Sequence, residues 1–142
     1  MERPFIVELS NGLKLVFVEN HRYPWVELLG VAKVGAIYED DDHDGLSHFL
    51  EHLLFKGTKK RTKEKLAEDA EAIGGMFNAM TDYAYTCFTL GVPRDNVLRG
   101  IELHADQLQN SVLPEDEVNK ERAVVQEEIR IYLDYPVWYS LD

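Results

Sequence analysis

The stretch that most constrains the fold is Gly45-Leu46-Ser47-His48-Phe49-Leu50-Glu51-His52-Leu53-Leu54-Phe55, in which polar side chains interrupt an apolar run. On a helix of about 3.6 residues per turn, His48, Glu51 and His52 share one face because their spacing is i, i+3 and i+4. The leucines and phenylalanines around them predict a helix that is buried on nearly all sides. Two imidazoles and a carboxylate are costly to bury together unless a partner satisfies them.

A divalent metal ion would satisfy these three side chains. Two neutral His nitrogens four residues apart on a helix can bind one ion, and the Glu between them can hold a water molecule beside it. The competing interpretation is two core histidines and a solvated acid, since one H-x-x-E-H match is only suggestive. The apolar surroundings favour the metal site, because a chance match would more often fall on a mixed surface helix.

Length and composition define the broad class of protein. A chain of 142 residues with ordinary apolar content is long enough for one domain with a core. The net charge of -11 argues against nucleic acid as a partner. No apolar run could cross a bilayer, residues 1–4 lack the layout of a signal peptide, and the single Cys87 fits a reducing compartment. We therefore expect a cytoplasmic protein that contacts neither membrane nor nucleic acid.

The periodicity of the chain predicts an α+β fold, an antiparallel sheet packed against helices. Strands are expected in a hairpin that turns at Asn11-Gly12, in a central strand within residues 25–38, and over residues 76–80 and 84–92. Further helices are expected over residues 62–73, 94–110 and 114–133. An acidic loop over residues 39–44 leads into the first helix, with Asp44 near its cap.

The last predicted helix carries Glu121 and Glu128, which lie two turns apart on a face beside its apolar stripe. One of these acids can complete a tetrahedral site of two His, one Glu and water. Without the first motif, both would be interpreted as solvated surface residues. Glu127 competes for the ligand role but points about a quarter-turn away. His43 is assigned to the acidic loop and His104 to a structural or exposed position, so neither is expected to bind metal.

Four segments resemble the N-terminal part of the inverzincin metallopeptidases, the family of pitrilysin, insulin-degrading enzyme and mitochondrial processing peptidase. They are N-G-L-K-L-V, G-L-S-H-F-L-E-H-L-L-F-K-G-T, G-G-M-F-N-A-M-T-D-Y and E-R-A-V-V-Q-E-E-I. The resemblance implies that His48, His52 and Glu128 bind zinc (Zn²⁺) and that Glu51 is the general base. Family members also have an acidic residue seven positions before this last ligand. The resemblance places that acid at Glu121, which we expect to steady the site.

The resemblance also implies a fold, a substrate and a mechanism. The fold is a processing-peptidase-like metallohydrolase half-domain, here truncated, and the reaction is zinc-assisted hydrolysis of peptides or unfolded segments. Asn78 and Ala79 fall where family members pair a peptide substrate against an edge strand. Family members are much longer, so residues 1–142 are expected to be the N-terminal portion of a peptidase domain, without a second domain. We therefore expect a second half-domain or homo-oligomer partner, weak or no activity from this fragment, and self-association through residues 135–141.

Two alternatives stay open. The first is a non-catalytic peptide-binding or partner subunit, against which the intact set of His48, Glu51, His52 and Glu128 argues, since inactive relatives typically lose one. The second is an enzyme similar to the S-ribosylhomocysteine lyases, which would need Cys87 as the third metal ligand. The alternation of residues 85–90 instead predicts that Cys87 packs within a strand.

Overall fold

The chain folds as an α+β protein in which antiparallel strands pack against helices, as the sequence predicts. The computed structural model describes residues 3–134, so the predicted self-association segment, residues 135–141, lies outside the described part. The strands are β1 (Phe5–Glu8), β2 (Lys14–Phe17), β3 (Trp25–Ala32), β4 (Met76–Thr81) and β5 (Thr86–Pro93). The helices are α1 (Leu46–Leu53), α2 (Lys63–Ala72), α3 (Val97–Asn110) and α4 (Glu115–Asp134). None of these helices has both the length and the apolar character needed to cross a membrane.

The N-terminal hairpin forms where the sequence predicts it. β1 and β2 pair antiparallel, with Phe5 opposite Phe17, and these two rings stack with centroids 4.8 Å apart. Gly12 has a φ of 85°, a left-handed conformation that glycine adopts without a Cβ penalty. Its N–H donates a hydrogen bond to the carbonyl of Leu9 at 2.9 Å and closes the turn.

The main sheet has β5 at its centre, in the order β3-β5-β4, with both pairings antiparallel. The strand predicted to be central is therefore an edge strand of this sheet. It also ends at Ala32 and is followed by a short 3-10 turn at Ala36–Tyr38. Its burial alternates because Val26 and Leu28 pack against the core, whereas Leu29 and Val31 lie exposed on the opposite face.

The hydrophobic core lies between β5, α2 and α3. Its buried members are Leu66, Ala70, Ile73, Leu90, Val92 and Leu103. The N-terminus of α2 is capped as predicted, since Thr62 Oγ1 accepts a hydrogen bond from the Lys65 N–H at 3.2 Å. Gly74, with a φ of 67°, follows the end of this helix and turns the chain into β4.

Helix α1, which carries His48, Glu51 and His52, packs against β4, β5 and α4. The prediction that it is buried on nearly all sides is wrong, because Leu46 is 51% exposed and Leu50 is 38% exposed. Its N-terminus is capped by Glu39, whereas the sequence pointed to Asp44. The two oxygens of Glu39 accept hydrogen bonds from the N–H groups of Gly45 and Ser47 at 2.7 and 2.6 Å.

A short bridge ties the chain just after α1 to the chain just before α4. The Val112 N–H donates to the carbonyl of Gly57 at 3.1 Å. Behind this bridge, the buried carboxylate of Asp106 accepts hydrogen bonds from Thr58 Oγ1 at 2.8 Å and from Arg61 Nη1 at 2.6 Å. The bridge therefore fixes the starting point of α4 relative to the end of α1.

Candidate metal centre

α1 and α4 bring His48, His52 and Glu128 together, although Glu128 lies far along the chain. His52 Nε2 is 3.2 Å from His48 Nε2 and 3.3 Å from Glu128 Oε2. His48 Nε2 is 3.9 Å from the same carboxylate oxygen. Within residues 3–134, these three side chains form the one group of His, Cys, Asp or Glu whose donor atoms lie close enough to share an ion, all within 4.8 Å of one another.

The spacing of these donor atoms fits a tetrahedral zinc site. Ligand atoms about 2.0–2.1 Å from a tetrahedral ion lie roughly 3.3 Å apart, which matches two of the three separations. Two imidazole nitrogens and one carboxylate oxygen are also the donor set of catalytic zinc sites that keep a fourth position open. The side chains of His48 and Glu128 are each 33% exposed, so the group faces solvent on one side.

Glu121 forms a hydrogen bond with Nδ1 of His52, the ring nitrogen that faces away from His48 and Glu128. Its Oε1 lies 2.9 Å from His52 Nδ1, and only 9% of the Glu121 side chain is exposed. An ionised carboxylate only accepts hydrogen bonds, so His52 donates through Nδ1–H. The lone pair of His52 Nε2 is thereby left facing His48 and Glu128, the orientation that a metal ligand requires.

Lys56 completes this arrangement, although it is not among the residues that the sequence patterns predict for the site. Its Nζ lies 2.5 Å from Glu121 Oε2, and both side chains are largely buried. Burial raises the pKa of Glu121, but the hydrogen bonds and charges of Lys56 and His52 outweigh this and hold the pKa below its usual value. The available sequence signal was spacing, since Lys56 follows His52 by four residues, about one helical turn.

Glu51 lies on the same helix as His48 and His52 but is not part of the three-residue group. Its Oε2 accepts a hydrogen bond from Thr81 Oγ1, at the end of β4, with a separation of 2.6 Å. The carboxylate is therefore held between α1 and β4. Thr81 lies within one of the segments that resemble the inverzincins, yet sequence alone gave no reason to single it out.

Asn78 and Ala79 lie in β4, an edge strand of the three-stranded sheet. They pair with Thr89 and Phe88 of β5, so the opposite edge of β4 is left without a partner strand among the described residues. Asn78 is exposed and Ala79 is half-buried. Their place on an edge is as expected, whereas contact with a substrate stays a prediction.

The other chemically interesting side chains lie outside the group. His43 forms a hydrogen bond with Asp40 in the acidic loop, and Glu127 forms one with Arg130 in α4. Neither belongs to the metal-competent group, in agreement with the preference for His48, His52 and Glu128. His104 is buried in α3, which agrees with its structural assignment and excludes the exposed one. Cys87 is buried in β5, where burial raises the pKa of its thiol, and it is not part of the metal-competent group.

Comparison with known proteins identifies the class. Residues 16–137 match the family described as Insulinase (Peptidase family M16). The chain therefore belongs to peptidase family M16, and the resemblance to inverzincin metallopeptidases is confirmed.

Individual relatives agree with this assignment. An uncharacterized zinc protease of Rickettsia felis is 38% identical over 134 residues, which make up 92% of this chain and 32% of that protein. A probable mitochondrial-processing peptidase subunit beta of Arabidopsis thaliana is 38% identical over 126 residues, 88% of this chain and 24% of that protein. The chain thus spans between about a quarter and a third of the length of these curated relatives.

Two solved structures share the fold. A protease from Helicobacter pylori is 33% identical with a TM-score of 0.85, and the match covers 90% of this chain and 31% of that one. The periplasmic protease PqqL from Escherichia coli is 27% identical with a TM-score of 0.86, and the match covers 99% of this chain and 16% of that one.

Proposed function

We propose that the protein is a zinc-dependent endopeptidase that hydrolyses peptides or unfolded protein segments. The observation that carries the proposal is the convergence of His48, His52 and Glu128 from two helices, with all donor atoms within 4.8 Å. These residues would hold the ion and leave one position open. When bound, zinc supplies an electrophilic centre that polarises the scissile carbonyl and makes water a stronger nucleophile near neutral pH.

Glu51 is the general base in this proposal. Its position between His48 and His52 in the sequence places it on the helix face that carries both ligands. Its carboxylate takes a proton from the attacking water as the new carbon–oxygen bond forms. The proton then passes to the amine nitrogen as the peptide carbon–nitrogen bond breaks.

Glu121 acts through His52 and not on the substrate. Its hydrogen bond to Nδ1 selects the tautomer in which Nε2 can bind metal, and it holds the ring in place. We therefore propose for Glu121 a positioning role in place of a direct catalytic one.

The peptide substrate would add as a further strand beside β4. Asn78 and Ala79 supply backbone hydrogen-bonding groups at that edge, and each bond would contribute about 0.5–1.5 kcal/mol net. An extended peptide bound in this way requires an unfolded segment. Selectivity for flexible substrates follows from that requirement.

We further propose that residues 1–142 are the N-terminal portion of a peptidase domain whose site is completed by a second half-domain or a second copy. The partial exposure of His48 and Glu128 supports this, because the ligands are open to water on one side. The greater length of the relatives also supports it. A cytoplasmic location stays a prediction.

The test uses the full-length protein and two pairs of matched variants. His52→Ala and Glu128→Gln should lose bound zinc, whereas His43→Ala and Glu127→Gln should retain it. Glu51→Gln should retain zinc and lose peptidase activity by at least about 100-fold, the lower end of what a general base contributes. Metal content by mass spectrometry and turnover of an unstructured peptide measure both effects.

Three results would count against the proposal. Stoichiometric zinc in His52→Ala would remove the ligand assignment, and full activity in zinc-loaded Glu51→Gln would remove the base assignment. A wild-type protein that binds zinc and peptide but turns over no faster than Glu51→Gln would instead support the non-catalytic partner subunit.

A further inference from the structure

The hydroxyl of Thr81 contacts the proposed base, Glu51. Thr81 Oγ1 donates a hydrogen bond to Glu51 Oε2 at 2.6 Å, and both side chains are half-buried. The second oxygen of Glu51, Oε1, accepts no hydrogen bond from any other residue within the described part of the chain. One oxygen of the carboxylate is therefore held, and the other remains available for proton transfer.

The direction of this hydrogen bond follows from counting protons on the two neighbouring hydroxyls. Thr86 Oγ1 is 3.4 Å from Thr81 Oγ1, and either atom could donate across that separation. Thr86, however, donates its one hydroxyl proton to the carbonyl of Val34 at 2.8 Å. The proton of Thr81 is thus left for Glu51, whose Oε2 accepts it.

Thr81 also belongs to the strand proposed to bind substrate. Side chains alternate along β4, with Asn78 and Met80 exposed and Ala79 and Thr81 half-buried toward the protein. The edge of β4 would pair with the peptide, while Thr81 at its end contacts the base on α1. The same strand would therefore locate both the scissile peptide and the carboxylate that acts on it.

We propose that Thr81 is a positioning residue for peptide hydrolysis, which holds one carboxylate oxygen of Glu51 so that the other faces the substrate bound along β4. The proposal rests on the function proposed above, since it requires Glu51 to be the base. It goes further by assigning the position of the base to a hydroxyl on the substrate-binding strand.

The experiment compares Thr81→Val, which keeps the side-chain shape but removes the hydroxyl, with Thr81→Ser, which keeps the hydroxyl. The assays use the zinc-loaded full-length protein with any partner subunit present. The kcat of Thr81→Val should fall about 10- to 100-fold, which is part of what a general base contributes. Its KM should change less than about twofold. Thr81→Ser should stay close to wild type. Zinc content and thermal unfolding midpoint should be the same in all three proteins.

A second measurement separates positioning from a purely structural effect. In the Glu51→Gln background, Thr81→Val should cause no further loss of the residual rate, because the two residues act through one group. Crystal structures of the zinc-free proteins should show Glu51 in one conformation in the wild type and spread over several in Thr81→Val.

The outcomes that overturn the proposal are distinct. In Thr81→Val, these are an unchanged kcat, a change confined to KM, or a lowered zinc content or unfolding midpoint. An equal loss of kcat in Thr81→Ser would also overturn it. So would a further, multiplicative loss when Thr81→Val is added to Glu51→Gln. Full activity of Glu51→Gln alone would overturn both proposals and would identify the base assignment as the point of failure. A normal Thr81→Val beside an inactive Glu51→Gln would remove only the role of Thr81.

Discussion

At the scale of single residues, His52 is oriented by a buried ion pair that lies behind it. Lys56 contacts one oxygen of Glu121, and the other oxygen contacts His52 Nδ1. Because an ionised carboxylate with a buried cation beside it keeps its charge and position, Glu121 holds the ring of His52 with Nε2 toward His48 and Glu128. Part of the ordering needed to form the site is thus already present in the protein.

We predict that Lys56→Met lowers the affinity for zinc by about 10- to 100-fold, the usual effect of removing a residue that orients a ligand. The substitution leaves the carboxylate of Glu121 buried without its cation, so its hold on His52 Nδ1 weakens. Competition with a chromophoric chelator measures the affinity. The matched control, Lys60→Met, changes an exposed lysine four residues away and should bind zinc as the wild type does.

Equal zinc affinity in Lys56→Met and wild type, with both proteins folded, would show that the ion pair has no part in ligand orientation. A loss that Lys60→Met shares would point to general charge and not to the contact with Glu121.

The site residues differ in how far sequence could identify them. His48, Glu51 and His52 were identifiable because helical periodicity puts them on one face. Helical spacing left Glu121 and Glu128 both open as the third acid, and the family resemblance selected Glu128. Lys56 and Thr81 were not identified, because each contacts a residue on another element and the spacing of Lys56 from His52 does not by itself indicate that contact. Thr81 contacts a residue 30 positions away, and Glu121 contacts His52 from 69 positions away, so only packing reveals these contacts.

At the scale of secondary-structure elements, α1 depends on a cap supplied by the loop before it. Burial raises the pKa of Glu39, but hydrogen bonds from Ser47 and Gly45 outweigh this and lower it below its usual value. The ionised carboxylate accepts two N–H groups of the first turn, which otherwise have no partner in the helix. The start of the helix that carries His48 and His52 is thereby fixed.

We predict that Glu39→Ala lowers the free energy of unfolding by about 0.5–2 kcal/mol, the range measured for loss of a helix N-cap. Asp41→Ala, in the same acidic loop, should change it by less than about 0.5 kcal/mol because its side chain is exposed. Urea denaturation of both variants and the wild type provides the comparison. Equal destabilisation by the two substitutions would show that loop charge, and not capping, is responsible.

The elements themselves were predictable where local chemistry determines them. Asn11-Gly12 closes the hairpin and Thr62 caps α2, since a turn glycine and a cap hydroxyl act on residues a few positions away. The order of strands was not predictable, because the central position of β5 depends on pairing with β3 and β4 across long stretches of chain. Which faces of α1 are covered also depends on elements far along the chain, so the apolar sequence of α1 alone wrongly predicted burial on nearly all sides.

At the scale of the whole molecule, the candidate metal centre is open. His48 and Glu128 are each 33% exposed, and the outer edge of β4 has no partner strand within residues 3–134. Water therefore reaches the site from the side that the described residues leave open.

We predict that a polypeptide of these 142 residues binds zinc yet hydrolyses an unstructured peptide at least about 100-fold more slowly per zinc than the full-length protein. A single oxyanion donor typically contributes about 10²–10³ in rate, so one donor supplied by the rest of the full-length protein would account for this difference. The Glu51→Gln form of the same polypeptide supplies the background rate. Comparable turnover per zinc would show that this part of the chain carries the whole reaction.

The bridge between Gly57 and Val112 has a consequence for chain entropy. His52 and Glu128 are separated by about half the sequence, and the entropy lost on joining two residues grows with the length of the loop between them. The bridge and the Asp106 cluster behind it already close most of that loop within a few residues of His52. A metal ion at the site would then close only the short remaining loop through the start of α4, so ion binding would cost far less chain entropy than the sequence separation of its ligands suggests.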